Sequence, residues 1–125
     1  MKTILVIEDD PLNLEILSDF LAHHGYRIRG ATTGPEGIAQ FHAEKPDLML
    51  VDVQLPRKNG FEVCLEIKQS DRGRDTPVLI MSAVYGTDEY LQGYAARGLV
   101  PDGFLAKPFQ FASLLDQVRG LIGEA

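Results

Sequence analysis

Apolar and polar positions follow two rhythms along the chain, and the rhythms take turns. Leu48 to Val51 is an unbroken apolar run. Such a run reads as a strand buried on both faces, in the middle of a parallel sheet. Thr3 to Ile7 (TILVI) and Val78 to Met81 (VLIM) read the same way. Tyr26 to Ala31 (YRIRGA) alternates instead, with Arg27 and Arg29 on one face, and predicts a charged edge strand protected against pairing with other chains. Gly103 to Ala106 predicts a short last strand that ends in Lys107-Pro108.

Between these runs the apolar residues recur three and four apart. A first helix opens with Asp10 as N-cap and Pro11 at the first helical position, carries Leu14, Leu17, Phe20 and Leu21, and stops at His24 before Gly25. Thr33 and Pro35 open a second, with Ile38 and Phe41, running to about Glu44. Residues 60–70 predict a third, on Phe61, Cys64, Leu65 and Lys68, after a turn at Asn59-Gly60. Residues 87–97 predict a weaker fourth, with Leu91, Tyr94 and Ala95 inward and Gly93 against it. Phe111, Leu114, Leu115, Val118 and Ile122 mark a final amphipathic helix.

Strand and helix alternate five times, without repeat or linker. That is the pattern of an α/β protein with a doubly wound, five-stranded parallel sheet and five helices. The charged and the short strand belong at the edges, so right-handed crossovers allow the order 2-1-3-4-5.

Composition narrows the class. A length of 125 residues points to one domain spanning 1–125, and 45% hydrophobic residues can build a core. The net charge of −6 argues against direct contact with nucleic acid. The single cysteine, Cys64, cannot form an internal disulfide and belongs to no metal set, which fits a reducing compartment. Neither a membrane span nor a signal peptide is present in the sequence, so no membrane insertion and a cytoplasmic location are expected.

The candidate chemistry lies where the strands end. In open α/β sheets ligands bind at the C-terminal strand ends. The predicted order brings Glu8 and Asp9, Asp52, Ser82 and Lys107 together there. Crowded carboxylates repel unless a cation sits among them, and oxygen ligands that leave room for water suit Mg²⁺. An aspartate beside such an ion can act as a nucleophile toward phosphorus, with the metal, the lysine and the serine hydroxyl stabilising the phosphoryl oxygens. Each residue alone has a plainer reading. Glu8 and Asp9 can be solvated loop acids, Asp52 a turn former, Lys107 a surface lysine, and Phe104 a core aromatic. His23, His24 and His42 have no ligand spacing, and Cys64 reads as a small buried apolar residue.

ILVIEDD (4–10), PDLMLVDVQLP with Asn59-Gly60 (46–60), VLIMSA (78–83) and FLAKPF (104–109) together resemble the receiver domains of two-component response regulators. The resemblance spreads over most of the chain and implies the flavodoxin-like receiver fold. It implies that Asp52 accepts a phosphoryl group from a sensor histidine kinase or a histidine phosphotransfer protein. Asp9 then binds Mg²⁺ directly, Glu8 acts through a metal-bound water, and the Gln54 backbone carbonyl is a further ligand. Ser82 matches the hydroxyl that reaches for the phosphoryl group, Lys107 its pairing partner, and Phe104 the aromatic that changes rotamer on activation. Lys107-Pro108 matches the family's cis peptide. Gln54 and Val84 match the two positions that flank the path of attacking water.

Such a domain is a signalling switch and not an enzyme, because it catalyses only its own phosphorylation and dephosphorylation. Output is expected at the surface of the fourth helix, fifth strand and fifth helix, toward a downstream protein or an effector domain outside this chain. No effector domain is expected within this chain, which reads either as a stand-alone receiver or as a piece of a longer protein, and it leaves room for a homodimer. Five residues, LVPDG, separate Gly98 from Phe104 where family members usually have three, and this loop adjoins the output surface. Three other functions compete. A hydrolase of the haloacid dehalogenase type needs a second aspartate at position 54, which is Gln. A flavodoxin-like cofactor binder needs a phosphate cradle where Glu8, Asp9 and Asp10 would repel one. A docking module without phosphorylation would not need the complete residue set.

Overall fold

The computed structural model describes residues 1–83 and 92–125. Five strands, β1 (Thr3–Ile7), β2 (Arg27–Ala31), β3 (Leu48–Asp52), β4 (Val78–Ala83) and β5 (Gly103–Lys107), form one parallel sheet in the order β2-β1-β3-β4-β5. The helices are α1 (Pro11–His23), α2 (Gly34–Ala43), α3 (Gly60–Gln69), residues 92–95 as α4, and α5 (Phe111–Ile122). A helix lies between each strand and the next, as parallel strands require, and α2 carries the chain from β2 past β1 to β3.

Two apolar layers cover the two faces of the sheet. Leu5, Ile7, Met49, Val51 and Ile80 face Phe41, Phe61, Val63, Cys64 and Ile67 of α2 and α3. Ile4, Val6, Leu50 and Met81 face Leu17 and Leu21 of α1 and Leu114 and Val118 of α5. Alternate residues of each central strand thus enter opposite layers, so the apolar runs are continuous because both faces are covered.

The helix ends form as their residues dictate. Asp10 caps α1, with its Oδ1 accepting from the Leu12 N–H at 3.0 Å, and Thr33 caps α2. Gly25 takes a φ of 95°, the left-handed conformation that ends α1. The arginines of β2 do more than guard an edge. Arg29 donates to the carbonyls of Gln40 and Glu44 at 2.8 and 2.6 Å, closing the C-terminus of α2 with positive charge.

Several expectations need correction. Asn59-Gly60 is not a separate turn: Asn59 is the N-cap of α3 and Gly60 its first residue. Glycine is required there by close approach, since a Cβ would lie 2.2 Å from the Asp52 carbonyl oxygen. β5 is no shorter than β1, β2 or β3, and it includes Lys107. Ala95 is exposed rather than inward, and Tyr94 is half-buried. The helical stretch ends before 97, because residues 96–98 turn and Gly98 takes a φ of 96°. Phe111 is 41% exposed and stacks on Phe20, so it is not a core position of α5. The start of the expected fourth helix, with Leu91, and Val84 lie outside the described residues. The Lys107-Pro108 bond is cis.

Candidate functional site

Parallel register fixes which side chains meet at the C-terminal edge of the sheet. Ile7 pairs with Val51, Asp52 with Met81, and Ala83 with Lys107. Glu8 follows β1 at once and lies level with Asp52, while Lys107 stands two residues beyond Leu105, the β5 residue at that level, and reaches back toward both acids. Ligating oxygens of Glu8, Asp9 and Asp52 all lie within 4.8 Å of one another. Glu8 is 2% and Asp52 4% exposed, whereas Asp9 opens to solvent.

Lys107 Nζ donates to Asp52 Oδ2 at 2.5 Å and stands 4.0 Å from Glu8 Oε2. The Gln54 backbone N–H donates to Asp52 Oδ1 at 2.9 Å. Asn13 Nδ2 donates to Glu8 Oε1 at 3.2 Å. Glu8 Oε2 is buried with no hydrogen-bond partner among the described residues. An orphaned buried acceptor is costly, and it is rare in a settled structure. Burial, followed by the neighbouring Asp52 carboxylate, raises the Glu8 pKa from an ordinary 4.5 to about 8, against smaller opposing effects of Lys107 and Asn13.

These observations test whether the residues fit a metal. Three carboxylates share one ammonium, one acid side chain is held against ionisation, and one buried oxygen lacks a donor. The donors are all hard oxygens and Asp9 keeps an open side for water. That set fits Mg²⁺, the cofactor of this site.

The loop after β3 is wound tightly over the acids. Leu55 and Lys58 each donate to the carbonyl two residues back, at 3.0 and 2.8 Å, and Arg57 takes a φ of 71°. A non-glycine residue in the left-handed region is uncommon and gathers at functional sites. Gln54 is exposed on this loop. Ser82 is 4% exposed at the end of β4, and its hydroxyl donates to the Ala83 carbonyl at 3.0 Å. Ile80 pairs with Phe104 and Ser82 with Ala106, so Ser82 and Phe104 lie on one face of the sheet, diagonally adjacent. Phe104 is half-buried against the layer that holds Val51 and Ile80.

The predicted site residues Glu8, Asp9, Asp52 and Lys107 therefore meet, with Gln54 and Ser82 on the adjoining loop and strand end and Phe104 one step behind. Sequence reasoning missed Asn13, which is one helical turn into α1 and pairs with Glu8. It also missed the role of Asn59 beside Tyr94 and Glu62. The spacing from Asn59 to Glu62 was the available clue, because Ser, Thr, Asp or Asn followed three residues later by Glu is a helix-start pattern.

Comparison with known proteins gives the same answer as the geometry. The family model described as "Response regulator receiver domain" matches residues 4–119. The chain is 34% identical over 122 residues to the DNA-binding dual master transcriptional regulator RpaA of Synechocystis, covering 98% of this chain and 49% of RpaA. It is 34% identical over 119 residues to the response regulator MprA of Mycobacterium ulcerans, covering 95% and 49%. The chain thus spans about half the length of these curated relatives. Among solved structures, the receiver domain of a Pseudomonas aeruginosa sensor histidine kinase, with magnesium coordinated in its active-site cleft, superposes with a TM-score of 0.87 at 28% identity, covering 98% of both chains. The Thermotoga maritima response regulator TrrA, in complex with Mg²⁺ and beryllium fluoride, gives 0.84 at 30% identity, covering 97% and 99%. The fold and the carboxylate cleft define a phosphorylation-controlled signalling switch. The chain belongs to the response regulator receiver domain family.

Proposed function

We propose that Asp52 is the phosphoacceptor of this receiver. The observation that carries this is Asp52 itself: a nearly buried carboxylate held by the Lys107 ammonium on one oxygen and the Gln54 N–H on the other. Asp9, Asp52 and the Gln54 carbonyl, with Glu8 acting through a water, would hold a magnesium ion, which would supply positive charge to screen the phosphoryl oxygens. The chain's own groups do the rest. Lys107 neutralises the nucleophile and stays beside the phosphoryl oxygens as negative charge builds. Asp52 attacks phosphorus, the bond to the donor breaks, and the donor leaves with that electron pair. Ser82 donates to a phosphoryl oxygen, and Phe104, on the same face of the sheet, turns into the space vacated behind it. The gain in contacts is modest, so the shift toward the active form is partial. The readout surface is α4, β5 and α5.

As a receiver the domain turns over no external substrate. It works with a phosphoryl donor and a downstream target; the donor we infer is a sensor histidine kinase or a histidine phosphotransfer protein. A cleft of about 470 Å³ beside Lys107, walled by Ile16, Leu17, Met81 and Phe109, gives a donor access from the α1 side. The DNA binding named for RpaA belongs to that protein, and the net charge of −6 argues against direct contact of this chain with nucleic acid. We read residues 1–125 as one receiver unit, with its target or effector outside them.

The test is intact mass after incubation with acetyl phosphate and Mg²⁺. The wild type gains one phosphoryl group and Asp52→Asn gains none. Undiminished labelling of Asp52→Asn overturns the assignment.

A further inference from the structure

The switch described above leaves one polar network unused. Tyr94, in α4, is half-buried, and its hydroxyl donates to Glu62 Oε1 at 3.0 Å. Asn59 Nδ2 donates to the Tyr94 hydroxyl oxygen at 3.1 Å and lies 3.3 Å from Glu62 Oε1. Asn59 Oδ1 meanwhile caps α3 by accepting from the Glu62 N–H at 3.0 Å. Every polar atom of the Asn59 side chain is thus committed, one side to the helix start and the other to Tyr94. The Tyr94 ring packs on Phe61, with centroids 5.4 Å apart, and Arg97 lies 5.3 Å over it. The Tyr94 carbonyl accepts from Arg97 and Leu99 N–H at 2.9 and 3.1 Å, and Leu99 is buried in the core.

The other end of this network touches the phosphoacceptor. Gly60 follows Asn59, its N–H donates to the Val53 carbonyl at 2.9 Å, and its α-carbon packs so tightly on Asp52 that no Cβ fits. The backbone after Asp52 therefore has no room to move without moving the start of α3. Asn59 is fixed to that start by its own cap. A shift at Asp52 is passed to the Tyr94 hydroxyl, and through the Tyr94 carbonyl to residues 97–99, just before β5.

We propose that the Tyr94 hydroxyl, held by Asn59 and Glu62, is a positioning latch that couples occupancy of the Asp52 pocket to α4 and the turn after it. The proposal rests on the reading of Asp52 as phosphoacceptor. It names a second route of readout beside Ser82 and Phe104, and one that supplies a hydroxyl where Phe104 has none. Coupling is reciprocal, so a latch that senses the pocket must also affect what the pocket binds.

The experiment uses the whole chain with Mg²⁺ and beryllium fluoride as phosphoryl mimic, followed by amide NMR spectra and by titration. In the wild type, amides of residues 52–60 and of residues 97–99 shift together on saturation. In Tyr94→Phe, which keeps the ring but loses the hydroxyl, residues 52–60 still shift and residues 97–99 lose most of their shift. Affinity for the mimic changes several-fold. Glu62→Ala, at a half-buried position, reproduces the effect, and the double variant adds little to either. The latch is overturned if residues 97–99 shift fully in both variants. It is equally overturned if Tyr94→Phe and Glu62→Ala change only thermal stability, which makes the network mere packing. Acetyl phosphate labelling of Asp52 continues in both variants, so loss of labelling in the wild type is a failure of the phosphoacceptor assignment and not of the latch.

Discussion

Two lysine–carboxylate pairs stand at opposite ends of the same sheet, and they are built differently. At the N-terminal end, Lys68 Nζ meets Asp102 Oδ2 at 2.6 Å and donates to the Thr76 carbonyl at 2.6 Å. The same Asp102 oxygen accepts from the Val78 N–H at 2.8 Å, and the Asp102 N–H donates to the Val78 carbonyl at 3.0 Å. One charge meets one charge, and the aspartate is tied into the strand beside it. At the C-terminal end, Lys107 faces Asp52 and Glu8 with Asp9 alongside, and Glu8 Oε2 has no hydrogen-bond partner among the described residues. The first pair holds β4 and β5 together. The second holds negative charge that the protein alone does not balance, and that imbalance is what a cation relieves.

Substitutions can break this contrast, and the largest effect falls on rate. Lys107→Met removes the only ammonium beside Asp52 among the described residues, so phosphorylation from acetyl phosphate slows by on the order of 10²-fold, the usual loss when one charge-stabilising group is removed. Single-turnover labelling measures it; an unchanged rate separates Lys107 from the chemistry.

Asp9→Ala removes one repelling carboxylate. The metal-free protein melts higher than wild type, while the stabilisation by Mg²⁺ disappears. At a hundred times its Kd a ligand stabilises by about 2.7 kcal/mol, so the lost response is easily seen in thermal melts. An Asp9→Ala protein that still responds fully to Mg²⁺ counts against the site.

Asp102→Ala breaks the balanced pair. It leaves the Val78 N–H without its acceptor and the Lys68 ammonium without its counter-charge, held only by the Thr76 carbonyl, and costs about 1–2 kcal/mol, discounted for the partial exposure of Asp102. Denaturant unfolding checks this. The Mg²⁺ response stays that of the wild type, because the pair lies at the other end of the sheet. The smallest effect belongs to Lys45→Ala, which removes an exposed ion pair with Asp75 and leaves the melting temperature unchanged within error.

The same contrast explains what could be read from the sequence. The sheet was legible because β1, β3 and β4 are covered on both faces, which makes their apolar runs continuous. Glu8, Asp52 and Lys107 were legible because charge directly after a buried strand must lie at its end. Asp102 was not, since a lone aspartate in LVPDG gives no hint that it pairs with Lys68 and Val78, far away in sequence. That loop is longer than expected, and its length is used: Leu99 enters the core and Asp102 binds β4. Asn59-Gly60 was legible as a stop but not as a cap, because only the packed structure shows Gly60 against Asp52. Ala95 is exposed because the chain turns just after it, which helical spacing alone does not reveal.

The central claim is that the carboxylate pocket carries charge which only a cation settles, and Glu8 sets the pH at which this shows. Its pKa is raised from 4.5 to about 8 in the metal-free fold. The folded state therefore binds more protons than the unfolded state across that window, and stability falls as pH rises through it. Below the window Glu8 is neutral in both states and contributes nothing. Mg²⁺ needs the ionised acids, so its benefit grows over the same range. The direct measurement is thermal unfolding with and without saturating Mg²⁺, from pH 5 to pH 8. The account predicts a metal-free melting temperature that declines across this range and a Mg²⁺-induced rise that widens with pH. A Mg²⁺ effect that is absent, or that is as large at the acid end as at the alkaline end, contradicts it.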